Sequence, residues 1–135
     1  MPVADTELLF ALNPKDRKHE KVLKMLSSNL RIKIPDTAIL EFVVVLRARG
    51  RKSEEIQAAL KALKDLMDRF LLKEAKTIDA GLFMKQAEIE ERYKLSFFDS
   101  LIASSALKLD KTVISDDKAF DAVPELRRIP IECSW

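Results

Sequence analysis

Apolar positions recur at helical spacing most clearly from Ser53 to Leu72, where Ile56, Ala59, Leu60, Leu63, Met67 and Phe70 fall on one face. Glu54 and Glu55 directly after Ser53 suit a helix N-terminus, so this stretch is predicted as a helix. A second helix is predicted over Lys15 to Ser28, with Val22, Leu23 and Leu26 inward and a basic outer face, and a third from Asp79 to about Tyr93. A fourth opens at Ser96, with Phe98, Leu101, Ile102, Ala106 and Leu109 on one side; Ser96 and Asp99 have the spacing of a capping box. Strands are shorter. Thr112 to Ser115 lies between two polar pairs, and Leu30 to Ile34, Pro2 to Ala4 and Arg128 to Ile131 are further candidates. The run Ala38 to Leu46 (AILEFVVVL) reads as strand by its three valines and as buried helix by its length; Asp36 as a cap after Pro35 favours helix.

Strands alternating with helices predict one α/β domain over residues 1–135, built on a parallel sheet covered on both faces. Composition then removes several chemistries. The two glycines, Gly50 and Gly81, are too far apart for a dinucleotide fingerprint or a phosphate-binding P-loop. His19 and Cys133, the only His and Cys, cannot build a thiolate or imidazole zinc site, and a two-histidine ribonuclease is excluded. No apolar run is long enough for a membrane span, and the N-terminus lacks a signal peptide's pattern, so a cytoplasmic protein is expected. With 24 basic and 22 acidic side chains the net charge is +2, which by itself announces no polyanionic partner. An enzyme of this composition must work through carboxylates, hydroxyls, Lys or Arg, or a metal held by oxygen.

The acidic residues narrow that choice. In a parallel sheet the ligand crevice lies outside the carboxyl ends of the strands. Asp5 ends the first predicted strand, Asp116 and Asp117 follow the TVIS strand, Asp99 falls in the first turn of the Ser96 helix, and Glu41 is the only charge between Thr37 and Leu46. Each has a structural reading too: Asp5 as a cap for a helix at Thr6, Asp99 as the capping-box acid, Asp116 and Asp117 as turn residues, Glu41 as half of a buried ion pair. Taken together, carboxylates about 5 Å apart repel by roughly 3 kcal/mol per pair at an effective dielectric near 20, so a cluster of them calls for a cation. Oxygen ligands without His or Cys select Mg²⁺ or Mn²⁺.

These residues resemble a family, the PIN-domain ribonucleases and especially the short VapC-type toxins of toxin–antitoxin pairs. The stretch FFDSLIASSALKLDKTVISDDKAFD (Phe97 to Asp121) resembles the family's "DALIAATA…LVTxDxxF", and IPDTAILEFVVVL (Ile34 to Leu46) resembles its "P…E" helix. The resemblance implies a three-layer α/β/α fold with a short central sheet. It implies that Asp5, Glu41, Asp99 and Asp117 are the catalytic metal carboxylates, with Asp116 beside them as a further possible ligand and Thr6 and Ser115 supporting. The expected activity is endoribonucleolytic: one or two Mg²⁺ ions, with Mn²⁺ as substitute, activate water against an RNA phosphodiester, leaving a 5′-phosphate and a 3′-hydroxyl. Family members often read Asp-Thr-Asn where this chain has Asp5-Thr6-Glu7, so an amide is replaced by an extra acid.

An acidic pocket needs basic surroundings to hold RNA. Arg47, Arg49, Arg51 and Lys52 lie between two predicted helices, and Lys15, Arg17, Lys18, Lys21 and Lys24 line the early one; some of these are expected to hold phosphates, although each also reads as a solvated face. His19 is expected at the surface, and Tyr93 and Trp135 give little basis for base stacking. The resemblance further implies a homodimer, a cognate VapB-like antitoxin whose tail covers the active site, and no membrane partner. Two rivals stand beside the toxin reading: a housekeeping PIN nuclease in RNA maturation and a non-catalytic PIN-like binding module.

Overall fold

In the computed structural model, which describes residues 1–28 and 30–131, five short strands form one parallel sheet. They are β1 (Val3–Ala4), β2 (Lys33–Pro35), β3 (Lys73–Ala75), β4 (Thr112–Ile114) and β5 (Arg127–Ile129), in the order β3-β2-β1-β4-β5. Register is set by Val3 opposite Lys33 on one side and Val113 on the other, with Ala4 opposite Ile114. The connecting helices are α1 (Thr6–Ala11), α2 (His19–Leu26), α3 (Asp36–Ala48), α4 (Ser53–Arg69), α5 (Ala80–Tyr93) and α6 (Phe97–Leu109), with a 3₁₀ turn at Lys118–Ala122. They flank the sheet in the expected three-layer α/β/α arrangement. No helix among the described residues is long and apolar enough to cross a membrane. Cys133 and Trp135 lie outside the described residues.

Residues buried on both faces of the sheet make the core. Val3, Ala4, Ile34, Val113 and Ile114 are fully buried, each large aliphatic among them contributing about 1.5–3 kcal/mol. α6 reads as nearly apolar all round because it is enclosed: Ser100 to Ala106 are buried without a break. α4 is amphipathic, burying only Ile56, Leu63 and Met67.

The topology decides where function can sit. From β1 the chain adds β2 and then β3 on one side, and later adds β4 and β5 on the other. The reversal leaves a crevice at the carboxyl ends of β1 and β4.

Several boundaries differ from the sequence expectation, each for a local reason. The Lys15 to Ser28 helix begins only at His19, because Asn13 and Asp16 accept the Lys15 and Lys18 N–H groups at 3.0 and 2.9 Å and hold the segment in turns. Met25 is buried there and Leu23 only half-buried. The Ser53 to Leu72 helix stops at Arg69, where Leu71 adopts a left-handed φ of 57° and the Leu72 N–H closes onto the Met67 carbonyl at 2.8 Å. β2 starts at Lys33, three residues after Leu30, and β5 covers Arg127–Ile129 instead of running to Ile131. β3 carried no sequence signal: Lys73 and Glu74 are exposed at the sheet edge, where charge deters edge-to-edge pairing. Ala38 to Leu46 is helical, within α3. Asp36 is its first residue; the carboxylate accepts the Thr77 and Ile78 N–H groups at 2.8 and 3.0 Å and the Thr77 hydroxyl at 2.6 Å, fastening α3 to the segment after β3.

Candidate active site

β1 is only two residues long, so the chain leaves it at Asp5, on the crevice edge. Asp5 has extended backbone and caps α1, with Oδ1 accepting the Thr6 N–H at 2.7 Å. Its other oxygen accepts from the Ser115 hydroxyl at 2.7 Å. Ser115 follows β4 and is fully buried, and its Oγ in turn accepts the Asp117 N–H at 3.0 Å. Asp117 caps the 3₁₀ turn, accepting the Ala119 N–H at 2.9 Å, and remains exposed. From the other side the Thr6 hydroxyl donates to Glu41 on α3. Thr6 and Ser115 therefore join Asp5, Glu41 and Asp117 in one hydrogen-bonded network. Asp99, in the first turn of α6 with its N–H on Ser96 Oγ at 3.2 Å, stands close enough to Asp5 and Glu41 to raise the pKa of both.

The electrostatics are those of repelling, partly dried carboxyls. Burial pushes Asp5 up to about 7, with the Glu7 and Asp99 charges adding to it and the Ser115 and Thr6 hydrogen bonds opposing. Burial also raises Glu41 and Asp99; Asp99 pushes Glu41 further, Asp117 does the same to Asp99, and the Thr6 and Ser96 hydrogen bonds resist. No ion pair joins any of the four to Lys or Arg among the described residues. By donor chemistry the set fits a hard divalent cation. Among the described residues no three such side chains already converge on one ion-sized point.

Glu7 and Asp116 are placed differently. Lys18 Nζ lies 2.7 Å from Asp116 Oδ2 and 3.3 Å from Glu7 Oε2. Asp116 Oδ1 accepts the Ile131 N–H at 2.7 Å, and Glu7 Oε1 accepts the Asp116 N–H. Burial works to lower the Lys18 pKa, and its bonds to Asp116 and Glu7 outweigh that and raise it.

Two open clefts flank this group. One of about 370 Å³ is lined by Glu7, Phe10, Lys15, Arg17, Lys18 and Arg49 among others; the other, about 550 Å³, by Arg17, Lys18, Lys21, Asp116, Lys118 and Arg128. Of the basic group between α3 and α4, Arg49 alone lines a cleft beside the acidic site, its guanidinium 5.0 Å above the Phe10 ring. Arg51 pairs with Glu55 at 3.4 Å, and Arg47 and Lys52 are exposed. Lys15, Arg17, Lys18 and Lys21 line these clefts; Lys24 does not. His19 is half-buried, donating from Nδ1 to the Ala11 carbonyl at 2.8 Å. Tyr93 packs against the core. Sequence reasoning missed Lys118 and Arg128; Lys118 is signalled only by following Asp117, and Arg128 was absorbed into a strand. Arg128 reaches the Ser115 carbonyl at 3.2 Å while paired with Asp121 at 3.0 Å.

A switch-point crevice edged by four carboxylates from four separate segments defines a class of fold and site, and the PIN domain family model matches residues 3–126. The chain belongs to that family. Its fold is similar to solved structures across nearly its whole length. VapBC2 from Rickettsia felis, bound to a promoter DNA fragment, superposes with a TM-score of 0.67 at 20% identity, covering 95% of this chain and 96% of that one. VapC20 from Mycobacterium tuberculosis, a toxin that cleaves the sarcin–ricin loop, gives 0.68 at 19%, covering 90% and 94%. FitAB bound to a DNA fragment gives 0.72 at 16%, covering 97% and 95%. No curated protein matches the chain.

Proposed function

We propose that this chain is a Mg²⁺-dependent endoribonuclease and the toxin of a VapBC-type pair, acting in the cytoplasm as a homodimer held in check by a VapB-like antitoxin. The observation that carries the reading is the carboxylate set Asp5, Glu41, Asp99 and Asp117 at the switch point of a PIN-family fold, with no ion pair from any of them to Lys or Arg among the described residues. The likeness to VapBC and FitAB complexes supports the antitoxin partner.

The four carboxylates would hold the ion. Bound there, Mg²⁺, or Mn²⁺ in its place, supplies Lewis acidity that neutralises phosphate charge and lowers the pKa of an attacking water. Ser115 and Thr6 aim Asp5 and Glu41 through their hydroxyls, so neither carboxylate is left to choose its own rotamer. Lys15, Arg17, Lys118, Arg128 and Arg49, lining the adjacent clefts, counter the repulsion between RNA and the acidic centre. Retention of all four carboxylates argues against a non-catalytic module.

The test is cleavage of structured RNA with Mg²⁺ by the wild type and by Asp99→Asn and Asp117→Asn. Each substitution is expected to abolish measurable cleavage while leaving the fold intact by circular dichroism. Unchanged cleavage in either variant removes that residue from the site.

A further inference from the structure

Six carboxylates crowd the edge between β1 and β4, and they are not treated alike. Glu7 and Asp116 meet a protein cation, Lys18 Nζ, at 3.3 and 2.7 Å. The remaining oxygen of each is also engaged: Glu7 Oε1 accepts the Asp116 N–H and lies 3.2 Å from Ser115 Oγ, and Asp116 Oδ1 accepts the Ile131 N–H. The ammonium arrives on a segment built to present it. Asn13 and Asp16 hold successive turns, and the Lys18 carbonyl accepts the Val22 N–H at 3.0 Å as α2 begins. With the Lys18 side chain only 16% exposed, this pairing is less screened than a surface ion pair.

We propose that Lys18 is a positioning residue that holds Glu7 and Asp116 out of the metal-binding quartet, so that Asp5, Glu41, Asp99 and Asp117 alone face the ion. The proposal rests on the metal-dependent reading of the site. Glu7 stands two residues from Asp5 and Asp116 adjoins Asp117, so both extra acids lie within reach of the same centre. Mg²⁺ takes about six oxygens, of which the reaction needs some for water and phosphate. Two further carboxylates would fill those positions and add negative charge where a polyanion must approach. A fixed ammonium between them keeps the positions open. It also lowers the cost of an acid at position 7, since Glu7 shares that ammonium with Asp116.

Mn²⁺ titration of the full chain, with free ion read by electron paramagnetic resonance, tests this alongside RNA cleavage. Lys18→Met is expected to bind Mn²⁺ about tenfold more tightly, or to take up an additional ion, while kcat falls about tenfold and KM stays within about twofold. Lys18→Arg keeps the cation and should bind Mn²⁺ as the wild type does. Combining Lys18→Met with Glu7→Gln and Asp116→Asn removes the charges that Lys18 holds, and should return Mn²⁺ binding to the wild-type value. A Lys18 that instead contacts substrate phosphate would raise KM and leave Mn²⁺ binding unchanged, which overturns the proposal, as does failure of the triple variant to recover. Lys18→Gln is read in the same way should Lys18→Met not fold. A wild type that binds no Mn²⁺ overturns the metal-dependent reading itself, whereas wild-type binding unaltered by Lys18 substitution overturns this proposal alone.

Discussion

Two acidic groups stand side by side on one edge of the sheet. Glu7 and Asp116 share the ammonium of Lys18, whereas Asp5, Glu41, Asp99 and Asp117 form no ion pair with Lys or Arg among the described residues, and three of them are pushed up in pKa by burial and by neighbouring carboxylates. A folded chain tolerates buried carboxylates if it supplies the cation or if the cation comes from outside. The first group illustrates the internal solution. The second carries an electrostatic cost that an external cation would relieve.

The contrast is broken most directly by substituting neighbours. Asp117→Asn is expected to lower cleavage by about 100-fold or more, as loss of an ion-holding carboxylate should, while Asp116→Asn, one residue away, changes it by less than about threefold, because Glu7 still engages Lys18. Initial rates on one RNA at saturating Mg²⁺ decide it. Equal effects would erase the distinction between the groups.

The next effect is on stability. Asp5 has a folded pKa of about 7 against an ordinary 3.8, so between those values the native state holds a proton that the unfolded chain has lost. The native state thus binds more protons, and metal-free stability must fall as pH rises through this window, at about 1.4 kcal/mol per pH unit from this group alone. Asp5→Asn removes that loss. Without metal, it is expected to melt above the wild type at pH 8 and near it at pH 5, in urea or thermal unfolding. Saturating Mn²⁺ should reverse the order at pH 8, since ion at about 100 times its Kd stabilises the wild type by about 2.7 kcal/mol.

Ser115→Ala probes the link within the quartet. It deletes the hydroxyl between Asp5 and Asp117, and loss of such an orienting group is expected to weaken Mn²⁺ binding about tenfold. Stability should fall by about 1 kcal/mol. Mn²⁺ titration and urea unfolding of the same preparation separate the two effects.

How much of this was legible in the sequence varies with how far each feature acts along the chain. The helices over Asp79 to Tyr93 and from Ser96 announced themselves through period and caps, and Asp79 and Ser96 do cap them, at 2.8 and 3.2 Å. The helix choice for Ala38 to Leu46 turned on Asp36 as a cap after Pro35; the stretch is helical, but Pro35 is the N-cap and the Asp36 carboxylate is taken up by Thr77 and Ile78. The β3 strand could not be read, since an exposed edge strand of Lys73, Glu74 and Ala75 has no apolar alternation. Lys18 was visible only as one basic residue among several, because its partners Glu7 and Asp116 are 11 and 98 residues away. Spacing along the chain conveys which acids are present; only the folded edge conveys which of them already have a cation.

The smallest expected effect concerns the basic rim, where two arginines on nearly the same stretch of chain should part company. Both are exposed, but Arg49 lines the cleft with Glu7 and Lys18 and lies over Phe10, whereas Arg47, in the last turn of α3, does not line that cleft. A phosphate contact releases about one counterion, so Arg49→Ala should flatten the plot of log affinity against log salt by about 0.7 for single-stranded RNA, weakening binding a few-fold at moderate salt. Arg47→Ala should leave the slope unchanged. Binding is best read with the Asp117→Asn chain, expected to hold RNA without cutting it, across a salt series. Equal slopes for the two substitutions would mean that the rim attracts RNA through its summed charge and not through Arg49 in particular.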